Sequence, residues 1–116
     1  MGKYDKVYGM TLGAVFPFLV NKALRKGRTR DEVLAVMSWL TGYSASDILQ
    51  LLETEITYGD FFLRAPQMNP ARHLITGSIC GVKLAEINEP LMQDIRYLDK
   101  LVDELAKGKP LEKILR

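Results

Sequence analysis

The chain of 116 residues is short of the residue types that most often carry chemistry, with one cysteine, one histidine and one tryptophan. A single cysteine closes no disulfide within the chain, which fits a reducing compartment. One histidine and one cysteine offer two soft ligands, whereas a structural zinc site wants four. No apolar run reaches the roughly 18 residues of a membrane span, so no transmembrane helix is expected. The opening MGKYDKVYGM holds no apolar stretch of signal-peptide length. The expected location is the cytoplasm, with no membrane partner, no metal and no cofactor. Strand patterning is scarce as well, since no segment sustains apolar/polar alternation with β-branched enrichment. No glycine-rich turn ends in Gly-Lys-Ser/Thr, so a phosphate loop is not expected.

What is present reads as helix nearly throughout. TLGAVFPFLVNKALRKG predicts a helix with Thr11 as N-cap and Gly27 as its stop, and Pro17 either begins it or bends it. In TRDEVLAVMSWLTG, Thr29 and Glu32 form a capping box, Val33, Val36, Met37 and Leu40 share one face, and Gly42 ends the helix. Ser44 caps ASDILQLLETE, with Ile48, Leu49, Leu51 and Leu52 turned inward. TYGDFFLRAP predicts a short helix or turn closed by Pro66. Asn69 before Pro70 predicts a helix over 70–80 stopped by Gly81, with a strand over LITGSI as the alternative. Asn88 and Pro90 open the longest helix, whose apolar seam runs through Leu91, Ile95, Leu98, Val102 and Leu105. The pairs Lys100–Glu104 and Asp103–Lys107 are expected on its outer face. Pro110 starts a last short helix. The expectation is an all-α fold, a compact single domain over 1–116 of about six helices joined by short loops, with residues 1–10 as a loose N-terminal arm.

The rare residues gather in HLITGSICGV, residues 73–82. On one continuous helix His73 and Cys80 would share a face but stand about 10 Å apart. A nucleophile and its base need about 3 Å, and no second histidine exists to supply the base. Cys80 is therefore expected as a small buried filler, and Gly77 and Gly81 as residues that let a neighbouring backbone approach. Asp94 and Asp99 fall within or beside the apolar arc of the long helix, where a carboxylate needs a partner. For Asp99 the expected partner is a basic group or the N-terminus of another helix, with a polar group at a ligand pocket as the alternative. Arg96 and Tyr97 project from the polar side and its boundary, placed for a partner contact.

Net charge is only +2, but residues 1–30 carry seven basic groups and one acid, while residues 31–60 carry six acids and no base. The densest cluster is Lys22, Arg25, Lys26, Arg28 and Arg30. LAVMSWLTGYSASDILQLLE has the outline of a helix-turn-helix, yet the would-be recognition helix has no Arg or Lys and would present carboxylates to phosphate. An αα-hairpin of the core fits better.

The strings GRT, WLTGY, FF…AP followed by NP, LITG, CGV and PLMQDIRYLDKLVDELAKGK…EKILR together resemble a small bacterial family known only as a domain of unknown function. The resemblance runs from Val15 to Arg116 and is most specific in the last third. It implies a bacterial, stand-alone cytoplasmic protein and no particular activity. His73 stands where the family pattern has a small polar residue, which lowers any catalytic role for it.

Three functional readings follow. The first is a non-catalytic binding or interaction module, with self-association as a homo-oligomer. The second is nucleic-acid binding through Lys22, Arg25, Lys26, Arg28 and Arg30. The third is a small enzyme or ligand-binding protein with a pocket near Cys80 and Asp99, drawing on Trp39, Tyr43, Asn69, Arg96 and Tyr97. That reading requires these side chains to converge. No catalytic constellation is recognisable.

Overall fold

A computed structural model describes residues 2–116. Among them are seven α-helices: α1 (Asp5–Gly9), α2 (Leu12–Leu24), α3 (Arg30–Thr41), α4 (Ala45–Leu51), α5 (Tyr58–Leu63), α6 (Pro90–Ala106) and α7 (Leu111–Ile114). Between α5 and α6 lie a 3-10 turn at Pro70–Leu74, a hairpin of strands β1 (Ser78–Ile79) and β2 (Val82–Lys83), and a second 3-10 turn at Leu84–Glu86. The all-α expectation holds, with this small hairpin as its one departure.

Most helix starts follow the local chemistry. Thr11, Thr29, Ser44 and Thr57 each accept a backbone N–H in the first turn of the helix they precede. The capping box is complete: Glu32 N–H donates to Thr29 Oγ1 at 3.2 Å, and Thr29 N–H donates to Glu32 Oε1 at 3.0 Å. Pro17 stays inside α2, which begins at Leu12 behind the Thr11 cap and not at the proline. Gly42 ends α3 at φ +85°, and a Cβ there would meet the Gln67 backbone at 2.9 Å. Only glycine satisfies both the left-handed backbone and that close approach.

Helix α6 is the hub, in contact with α2, α3, α5, α7, β1 and the second 3-10 turn. It buries Met92, Ile95, Tyr97, Leu98, Leu101, Val102 and Leu105. α3 meets it with Val33, Leu34, Val36, Met37 and Leu40, and α2 with Leu12, Phe16, Leu19, Val20 and Ala23. Of the two outer-face pairs expected on α6, Asp103–Lys107 forms at 3.0 Å. The other does not: Lys100 donates to the Ser78 carbonyl, and Glu104 is taken by Arg116 at 2.7 Å and Lys109 at 3.7 Å.

The expected N-terminal arm is ordered where it is described; Met1 lies outside the described residues. α1 packs on α5, where Gly59 leaves room for Tyr8. The Leu12 N–H donates to the Ile56 carbonyl and the Tyr58 N–H to the Met10 carbonyl, tying α2 beside the start of α5.

The helix expected over 70–80 is the main correction. Only Pro70–Leu74 is helical, as a 3-10 turn, and the chain then runs extended into the hairpin. Cys80 and Gly81 are its two turn residues, at φ +52° and +79°. This is the two-residue turn with both φ positive that matches strand twist. The physical reason lies in ITGSICGV: four β-branched residues and two glycines leave no strong helix former to propagate a helix. Cys80 is accordingly exposed and not a buried filler. Gly77 and Gly81 serve positive φ, not helix packing.

Candidate functional site

The irregular segment is fastened to α6 by polar ties and by three buried side chains. Arg72 Nε donates to Asp94 Oδ1 at 2.9 Å, Gln93 Nε2 to the Leu84 carbonyl at 3.0 Å, and Lys100 Nζ to the Ser78 carbonyl at 3.1 Å. The Leu84 N–H closes the loop onto the Gly77 carbonyl at 3.0 Å. Ile75, Ile79 and Leu84 insert into the core.

Between this segment and α6 opens a pocket of about 320 Å³ lined by His73, Ile75, Thr76, Gly77, Ser78, Lys83, Ala85 and Tyr97. Its size is that of a small-ligand site. His73 Nδ1 lies 3.4 Å from the Tyr97 hydroxyl, with the rings edge to face at 6.0 Å. Burial raises the Tyr97 phenol above its ordinary pKa, and the nearby Asp94 carboxylate raises it further, against a smaller opposing effect of Arg72. The phenol stays protonated at neutral pH. Asp94 is itself raised by burial, which the Arg72 guanidinium only partly offsets.

The seven side chains expected to form one ligand surface do not converge. Tyr97 alone of them lines this pocket. Trp39 and Asn69 border a separate hollow with Gly42, Gln67 and Pro70. Asn69 has structural work there: its amide donates to the Trp39 carbonyl at 3.2 Å, and its Oδ1 accepts from the Ala71 N–H at 2.9 Å. It closes α3 and opens the 3-10 turn at once. Tyr43 is buried, stacked on Phe61 at 4.7 Å, and donates to the Phe61 carbonyl at 2.8 Å. Cys80 sits at the hairpin turn.

Arg96 and Asp99 pair with each other at 3.0 Å. Burial raises Asp99, with Arg96 pulling the other way. The carboxylates Asp94 and Asp99 thus each have a partner, and in both cases it is an arginine. The hydroxyl of Tyr58 lies in the field of the Arg96–Asp99 pair, buried and without a hydrogen-bond partner among the described residues.

The basic cluster is split by the fold. Arg28 turns inward, donating to Glu32 at 2.6 Å and to the carbonyls of Leu105 and Lys109 at 3.3 and 2.8 Å. It is a clamp on the carboxyl end of α6, and its bond holds Glu32 below the usual carboxylate range against the effect of burial. Lys22 pairs with Asp103 at 3.3 Å. Arg25, Lys26 and Arg30 remain exposed.

His73, Thr76, Ser78 and Lys83 were not expected as pocket residues. Two signals in the sequence mark them: Gly81 between β-branched Ile79 and Val82, which fits the second position of a tight hairpin turn although Cys80 stands where Asn or Asp is preferred, and the Asn69-Pro70 cap that starts the excursion.

Among the described residues, no group of three or more His, Cys, Asp or Glu could hold a metal ion, and no helix is long and apolar enough to cross a membrane. A comparison with curated proteins gives no match. A crystal structure of the uncharacterized protein SP1917 is similar with a TM-score of 0.93 at 52% sequence identity, over 99% of this chain and 93% of that one. The model of a family described as an uncharacterized protein conserved in bacteria (DUF2200) matches residues 6–116. The resemblance carried by the sequence motifs is thereby resolved, and the chain belongs to that bacterial family.

Proposed function

We propose that this protein is a non-catalytic binding module whose ligand seats in the pocket between Tyr97 and residues 73–85. The observation that carries the reading is a preformed, mostly apolar hollow with a few polar groups on its wall, held in place by three side chains of α6. Thr76, Ser78, Lys83 and the Tyr97 phenol are all hydrogen-bond donors. A ligand with an apolar body and an acceptor or anionic group fits that wall.

Binding is favoured over catalysis by the two groups that meet in the pocket. His73 meets the Tyr97 phenol and makes no hydrogen bond to the hydroxyls of Thr76 or Ser78 on the same wall, whereas nucleophilic catalysis asks for a nucleophile in reach of its base. Cys80 is not among the lining residues.

The test is an amide NMR titration of the labelled protein with benzoate as probe. Shift changes confined to residues 73–85 and 97, and lost in Lys83→Ala, are expected. Changes scattered over the surface, or unaltered by Lys83→Ala, would sink the reading.

A further inference from the structure

The basic cluster acquires a member in the fold that its own stretch of sequence does not contain. Lys22 in the last turn of α2, and Arg25 and Lys26 in the turn that follows it, meet Lys107 at the end of α6. These four line a groove of about 470 Å³ together with Asp103 and Ala106. It lies apart from the His73–Tyr97 pocket and shares no lining residue with it.

A structural reason for these cations exists, and its size can be weighed. They stand at the carboxyl ends of two helices, where basic groups complement the macrodipole. Each end carries about half a negative charge, so two ends and the Asp103 carboxylate supply about two negative charges. The groove holds four cations. About two positive charges are left over, on a chain whose total is +2. Asp103 is already engaged: burial alone would raise it, but hydrogen bonds from Lys107 and Lys22 outweigh burial and hold it low. Arg25 and Lys26 have no carboxylate within ion-pair distance among the described residues. The Arg28 clamp onto Leu105 and Lys109 fixes the two helix ends relative to each other, so the cations are held at a set spacing before any partner arrives.

We propose that this groove is a contact site for the phosphate backbone of nucleic acid, read without base specificity. Its apolar wall comes from Ala106 and the methylene stems of the lysines and arginine, with no aromatic or branched aliphatic side chain to serve as the buried anchor a protein partner wants. Phosphate contact needs none, being driven by counterion release. No aromatic ring lines the groove to stack a base, which removes the usual single-strand platform. A duplex backbone is the better fit.

The experiment is fluorescence anisotropy of the full chain with a labelled duplex of about 20 base pairs at about 50 and about 200 mM salt. Neutralising about two phosphates predicts a log–log salt slope near −2, a loss of roughly 15-fold over that range. The double variant Arg25→Glu/Lys26→Glu, at two exposed positions, is expected to bind at least about tenfold more weakly, with a slope shallower by about 2. Lys83→Glu, in the other pocket, is expected to leave binding unchanged. Absence of binding at low salt, an equal loss from Lys83→Glu, or an oligoglutamate peptide that binds as tightly as the duplex each overturns the proposal.

Discussion

Residues 29–52 and residues 70–89 are of similar length and both carry a large share of apolar side chains, thirteen and nine respectively, yet they fold by different rules. In the first, every apolar position that periodicity places inward is buried or half-buried, and Thr29, Gly42 and Ser44 set the ends through their own side chains or backbone freedom. In the second, Ile75, Ile79 and Leu84 reach the core one at a time, and the backbone between them bonds chiefly to itself and to side chains of α6. The first region makes the frame. The second is a displayed segment, and the pocket lies where it meets the frame.

That contrast can be broken by stability measurements. The largest effect is expected in the frame: Leu98, fully buried at the middle of α6, should cost about 3–4 kcal/mol when changed to Ala, read from urea denaturation. Ile79→Ala should cost clearly less and act locally, with faster hydrogen exchange at 78–84 and little change in α3. Equal costs would show the hairpin to be part of the same cooperative frame.

Next in size is Arg28→Ala, which removes the clamp on the end of α6 and leaves the carbonyls of Leu105 and Lys109 and the Glu32 carboxylate without that donor. A loss of about 2 kcal/mol is expected. Arg28→Lys should recover only part of it, because a single ammonium does not reproduce the fork. Full recovery by lysine would reduce Arg28 to a point charge. The smallest effect lies at the turn. Cys80→Asn replaces a left-handed cysteine with a residue that tolerates that backbone, and should be neutral or stabilising by about 0.5 kcal/mol in a thermal melt. Gly81→Ala at φ +79° should cost about 1 kcal/mol. A destabilised Cys80→Asn would mean that the thiol makes a contact the turn geometry does not require.

The helices were legible because their information is local. A capping box needs only Thr29 and Glu32, and an amphipathic face needs only spacing. The same logic failed at 70–80, where Asn69-Pro70 announces a helix and the β-branched residues and glycines that follow withhold the propensity to extend it. The pocket was less legible still. Spacing alone puts Tyr97 at the edge of the α6 arc, but its neighbours His73, Thr76, Ser78 and Lys83 come from a segment whose path depends on Asp94, Gln93 and Lys100. Trp39, Tyr43 and Asn69 are residue types common in binding sites, but the fold uses Tyr43 and Asn69 to satisfy backbone groups.

The sequence by itself determined the frame: six of the seven helix cores, most of their caps, the need of Asp94 and Asp99 for partners, and membership in a bacterial family. Periodicity, propensity and capping act over a few residues, so they are written in order along the chain. Tertiary structure alone decided which cations are spent and which are free, sending Arg28 inward to the end of α6 and bringing Lys107 to Lys22, Arg25 and Lys26. It also decided that HLITGSICGV would display its histidine at a pocket and its cysteine at a turn. Those outcomes depend on contacts between residues far apart in sequence, where packing against α6 overrides what any short stretch prefers.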